Sequence, residues 1–120
     1  MDYKQKYLKY KNKYLKLKQI AGSKLTTEQV QVTYKVLEGH TNYVMSVAFN
    51  HDGTKIVSGS SDNTIRVWNV DTGECIVTLE GHEGYLRSSV ESVGFNRDGT
   101  KIVSGSYDGT IRVWELMKFV

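Results

Sequence analysis

The 120-residue chain is 24% charged and 11% aromatic, a balance that excludes wholesale disorder. Its single Cys75 excludes an intrachain disulfide framework, and neither a bilayer-spanning apolar run nor a signal-peptide core is present, so an intracellular, cytoplasmic protein is expected. The net charge of +3 conceals two parts: residues 1–24 hold eight lysines against Asp2, whereas residues 25–120 hold eight Lys and Arg against twelve Asp and Glu.

The first element in chain order is that basic segment. Tyr3, Tyr7, Tyr10, Tyr14 and Leu17 follow a 4-3-4-3 spacing with lysines between them, which predicts a helix over residues 3–20 ended by Ala21-Gly22-Ser23. Residues 1–22 are thus expected as a basic amphipathic helix and residues 23–30 as a linker. The stretch resembles the Lys/Tyr-rich leader of many proteins from giant mimivirus-like DNA viruses, which implies a viral source and a host-cell location. Its composition fits three roles: a short coiled-coil seam, an interfacial helix on an anionic membrane, or a nucleic-acid arm with lysines for phosphates and tyrosines for stacking. A solvated, frayed extension is the plain alternative.

Beyond the linker the chain repeats itself. Asn50 to Val70 and Asn96 to Leu116 are identical at 16 of 21 positions, 46 residues apart, and Leu37–His40 recurs as Leu79–His82. The offsets differ by four residues, assigned here to an insertion of Leu86, Arg87, Ser88 and Ser89 after Tyr85. Residues 31–37 are expected as a strand d that precedes two repeats, at about 37–78 and 79–120. In the first repeat, Val44 to Phe49 is an apolar run of the kind buried on both faces. Asp52-Gly53 is a hairpin signal, Lys55 to Ser60 and Thr64 to Val70 are rich in β-branched residues, and Cys75 to Leu79 supplies a fourth strand. The second repeat follows the same plan. An all-β chain of two four-stranded antiparallel units is expected, with one short helix before it.

Gly39-His40, Ser58-Gly59-Ser60, Asp62 and Trp68 fall where the WD-repeat family has its signature, as do Gly81-His82, Ser104-Gly105-Ser106, Asp108 and Trp114. The chain resembles that family from residue 32 onward. Trp-Asn and Trp-Glu stand where the family ends on Trp-Asp. The resemblance implies β-propeller blades, in which His40, Ser58, Asp62 and Trp68 form one buried structural tetrad and His82, Ser104, Asp108 and Trp114 another. A serine, a histidine and an aspartate together also invite a catalytic reading. A hydrolytic site has no reason to occur once per repeat, however, and a blade clamp does. No catalytic residues, metal, cofactor or small-molecule substrate is expected: His40, His51 and His82 lie in separate loops, and Cys75 has no ligand partner at suitable spacing.

Propellers close with about four to eight blades, so two blades need others. Counted along the chain, the strands run d, a-b-c-d, a-b-c. That phase allows the strand at 31–37 to pair with Thr110 to Leu116 of a neighbouring copy, giving a trimer or tetramer, or with another propeller chain. The expected function is a non-enzymatic protein–protein interaction scaffold that binds a protein or peptide through Tyr43, Tyr85, Arg87 and Tyr107. The alternatives are attachment to nucleic acid or membrane through residues 3–20, and a degenerate repeat remnant without function.

Overall fold

A computed structural model describes residues 2–9, 11, 28–83 and 87–117. The chain divides into two units, Met1–Thr33 and Tyr34–Val120. In the first, residues 3–9 are helical, and the Asp2 carboxylate accepts the Gln5 backbone N–H at 2.8 Å, a side-chain N-cap. The rest of the expected 3–20 helix falls outside the described residues, apart from residue 11, which is helical. Among the described residues no helix is long and apolar enough to cross a membrane.

The second unit holds two antiparallel meanders. Strands β1 (Val44–Phe49), β2 (Lys55–Ser60), β3 (Thr64–Asn69) and β4 (Cys75–Glu80) form one sheet in that order. Strands β5 (Val90–Phe95), β6 (Lys101–Ser106) and β7 (Ile111–Glu115) form the other. The registers are copies of each other: Ile56 faces Trp68 as Ile102 faces Trp114, and a bulge falls between Val44 and Ser46 as between Val90 and Ser92. Turn chemistry explains the match. Gly53 and Gly99 take φ of 74° and 73°, while Asp52 and Asp98 accept both the backbone N–H and the hydroxyl of the threonine two residues on. The next turn places Asn63 at φ 73° and Gly109 at φ 83°, two residue types that tolerate the left-handed region.

The core lies between the sheets. Val57, Ile65 and Val67 of the first meet Val90, Val93 and Ile102 of the second, all of them buried. Gly59 makes this approach feasible: a Cβ there would stand 2.6 Å from Val90 Cγ1 and 2.9 Å from Val93 Cγ1.

Three expectations need correction. Residues 31–37 form no strand in the single chain, because a strand exists only by pairing and no ladder among the described residues includes them; Val32, Tyr34 and Val36 are exposed. Strand β1 is not buried on both faces. Val44, Val47 and Phe49 stand in solvent, whereas their counterparts Val90, Val93 and Phe95 are covered or half-covered, since only β5 has a sheet to pack on. The insertion is also displaced. Ser60 Oγ donates to Asn42 O and Ser61 N–H to Tyr43 O in the first unit, and Ser106 Oγ to Ser88 O and Tyr107 N–H to Ser89 O in the second. Ser88 and Ser89 therefore occupy the places of Asn42 and Tyr43, and the extra residues precede Ser88.

Candidate functional site

Each repeat carries one line of buried polar side chains, from its entry loop to β3 in the first and to β7 in the second. In the first, His40 Nδ1 lies 2.8 Å from Asp62 Oδ2, His40 Nε2 lies 2.6 Å from Ser58 Oγ, and Trp68 Nε1 donates to Ser58 Oγ at 2.8 Å. In the second, His82 reaches Asp108 at 2.9 Å and Ser104 at 2.8 Å, and Trp114 donates to Ser104 at 2.8 Å. One proton arrangement satisfies every member: indole N–H to serine oxygen, serine O–H to Nε2, and Nδ1–H to carboxylate. All eight sequence-selected tetrad residues are thus brought together, four in each unit.

The aspartates are held as anions. Burial opposes the charge on Asp62, but hydrogen bonds from the Thr64 hydroxyl, His40 and the backbone N–H groups of Thr64 and Thr41 outweigh it and set its pKa at about 2. The Thr110 hydroxyl, then His82, holds Asp108 well below the usual carboxylate range. Each tryptophan closes its line from above. A Cβ at Gly81 would sit 2.7 Å from Trp114 Cη2, so the glycine before the histidine makes room for the ring. The same geometry speaks against a nucleophilic serine: Ser58 and Ser104 are buried, with their oxygens engaged by an indole and an imidazole.

The comparisons with known proteins agree with this architecture. The family model for the WD domain, G-beta repeat, matches residues 31–69 and 73–115. The chain belongs to the WD40 repeat family. Among curated WD40 relatives, F-box/WD repeat-containing protein 7 of Drosophila melanogaster is 47% identical over 55 residues, covering 46% of this chain and 4% of that protein. The probable E3 ubiquitin ligase complex SCF subunit sconB of Arthroderma otae is 44% identical over 53 residues, 44% of this chain and 8% of its own length. Coatomer subunit beta' of Drosophila melanogaster is 42% identical over 57 residues, 47% of this chain and 6% of its own length. The chain therefore spans less than a tenth of each of these relatives.

In this WD40 unit the binding candidates lie on the rim where the tetrad turns emerge. Tyr43 and Tyr107 are exposed, and the Arg87 guanidinium lies 5.8 Å over the Tyr107 ring. Tyr85 lies outside the described residues, and the position equivalent to Tyr43 is held by Ser89 rather than by Tyr85. Sequence reasoning missed a second rim feature, a polar cleft of about 270 Å³ between the β2–β3 turn and the β4–β5 connection, lined by Asn63, Glu80, Glu83 and Ser88 among others. It arises only when the sheets pack, so no local motif announces it. No group of three or more metal-ligating side chains occurs among the described residues.

Proposed function

We propose that this chain is a protein–protein interaction scaffold without enzymatic activity, in which rigid WD40 blades present a rim of aromatic and cationic side chains to a protein or peptide. The observation that carries this reading is the contrast at the rim. Tyr107 stands exposed in the turn beside the tetrad Asp108, Tyr43 stands exposed with its carbonyl held by Ser61 N–H next to the tetrad Asp62, and the exposed Arg87 lies over the Tyr107 ring. Exposed aromatic and arginine side chains on a fixed frame bind with little ordering cost. The WD40 relatives whose names place them in a ubiquitin ligase complex and a coatomer support an assembly role of this kind.

The uncovered sheet flanks take further blades, from other copies or from another propeller chain. Selection of a displayed peptide library against the full chain, followed by affinity measurement, tests the rim. The quadruple variant Tyr43→Ala, Tyr85→Ala, Arg87→Ala and Tyr107→Ala is expected to lose recovery of the selected peptides. Undiminished recovery by a folded quadruple variant rejects the rim as the binding site.

A further inference from the structure

The interface between the two sheets is fully specified within the chain, and both of its halves occur a second time, uncovered. The covered receiving face is Val57, Gly59, Ile65 and Val67; its repeat equivalents are Val103, Gly105, Ile111 and Val113, the same residues in the same order. Val103, Ile111 and Val113 are 46%, 76% and 64% exposed, and a Cβ at Gly105 would meet nothing within 4 Å. The covered inserting face is Val90, Val93 and Phe95; its equivalents Val44, Val47 and Phe49 are again identical in type and are 53%, 63% and 63% exposed. They line an open groove of about 310 Å³ floored by Ile56 and Trp68. One face of the chain thus carries the sockets and the opposite flank carries the knobs of a contact already made inside it.

We propose that the occupant of these flanks is a second copy of this chain, docked head to tail, with Val44 and Val47 of one copy seated on Gly105 of the next as Val90 and Val93 sit on Gly59. This rests on the reading above that further blades cover the flanks, and it names their source. The contact is heterologous, so it propagates until a ring closes, and two, three or four copies give the four, six or eight blades a propeller admits. The polar detail transfers too. Ser46 Oγ accepts the Val93 N–H at 3.3 Å, and Ser92 holds the matching position for Val47 of the next copy. Strand pairing follows the same rule. Thr64 and Ile65 pair with Glu80 and Leu79, which sets Glu38 and Leu37 of the second copy opposite Thr110 and Ile111.

The equivalence makes one seam differ from the other. Inside the chain the rim is joined by the hydroxyls of Ser61 and Ser89, 3.1 Å apart. Their equivalents are Tyr107 and Tyr43. At the junction between copies, Tyr107 and its overlying Arg87 therefore meet Tyr43 of the second copy, and serine and tyrosine seams alternate around the ring. The aromatic rim patch is complete only where two copies touch.

The test uses the full-length chain carrying Cys75→Ser. Light scattering is expected to give a discrete multiple of the chain mass. Gly105→Ala is expected to weaken assembly about tenfold or more while circular dichroism of the dilute chain is unchanged, because the added methyl meets only the incoming valines. Mixing a Tyr43→Cys chain with a Tyr107→Cys chain under oxidised glutathione should yield the mixed disulfide, with Ser61→Cys/Ser89→Cys as the intrachain control. A monomer at all concentrations, or disulfides only between identical variants, overturns the proposal. A monomer that still recovers rim-selected peptides overturns this proposal alone. A cross-linked ring that selects no peptide overturns the scaffold reading alone.

Discussion

Removal of the Ser58 hydroxyl tests whether each tetrad acts as one connected unit. Ser58→Ala leaves two buried groups without partners, the Trp68 indole N–H and His40 Nε2. An orphaned buried polar group costs about 1–3 kcal/mol, so the substitution should destabilise the protein by about 3 kcal/mol. Trp68→Phe alone removes the donor and some packing, at about 2 kcal/mol. In the double variant the orphaned indole no longer exists, so the loss should fall short of the sum of the single losses by about 1–2 kcal/mol. Ser60→Ala is the control. Ser60 lies on the same face of β2 but bonds Asn42 and the Asp62 backbone, and shares no partner with Trp68. Urea unfolding followed by far-ultraviolet circular dichroism at one fixed protein concentration gives all the free energies. Additivity of Ser58→Ala and Trp68→Phe within about 0.5 kcal/mol refutes the connected tetrad and reduces it to independent contacts.

Acid should attack the same groups. Asp62 titrates near 2 in the folded chain against an ordinary value of 3.8, and Asp108 is lowered in the same direction. A depressed folded pKa contributes stability that is complete above the unfolded value and disappears as pH falls through the folded one. Urea midpoints should therefore hold steady above pH 5 and decline from about pH 4 to pH 2, and Asp62→Asn should flatten that decline. Salt separates the scaffold reading from attachment through the lysine-rich segment. Peptide binding at the tyrosine rim should change little between 50 and 200 mM salt, roughly, whereas any retention of single-stranded DNA through residues 3–20 should fall steeply over that range. Equal sensitivity of the two would count against a rim that binds chiefly by aromatic contact.

Much of this was legible in the residues. The turn aspartates, the strand boundaries and both tetrads follow from a pattern that occurs twice in register, because turn chemistry and buried polar pairing are local requirements. What was not legible depended on neighbours. The apolar run Val44 to Phe49 has the composition of a buried strand, but composition does not say whether a sheet lies against it. Residues 31–37 have the pattern of a strand and lack a ladder. Gly84-Tyr85 imitates Asn42-Tyr43 in distance from the histidine, and only the backbone bonds from Ser106, Tyr107, Ser60 and Ser61 reveal that Ser88-Ser89 hold that place.

These neighbour-dependent features lead to a last expectation. A single folded chain leaves two valine-rich faces in water, and that area contributes nothing until it is covered. If covering requires another folded copy, folding and assembly are linked, and stability must depend on protein concentration. Above the dissociation constant, each tenfold rise in concentration adds about 1.4 kcal/mol to the folded state. For a unit of this size that corresponds to an increase in Tm of several degrees, about 4–8 °C per kcal/mol. Calorimetry over a hundredfold concentration range should show the rise in the parent chain, and the same rise displaced to about tenfold or more higher concentration in Gly105→Ala. The glycine discriminates because a Cβ there meets nothing within 4 Å in the isolated chain, so a concentration-independent parent, or a variant whose rise falls at the same concentrations as the parent's, would mean that the exposed faces are not the ones that associate.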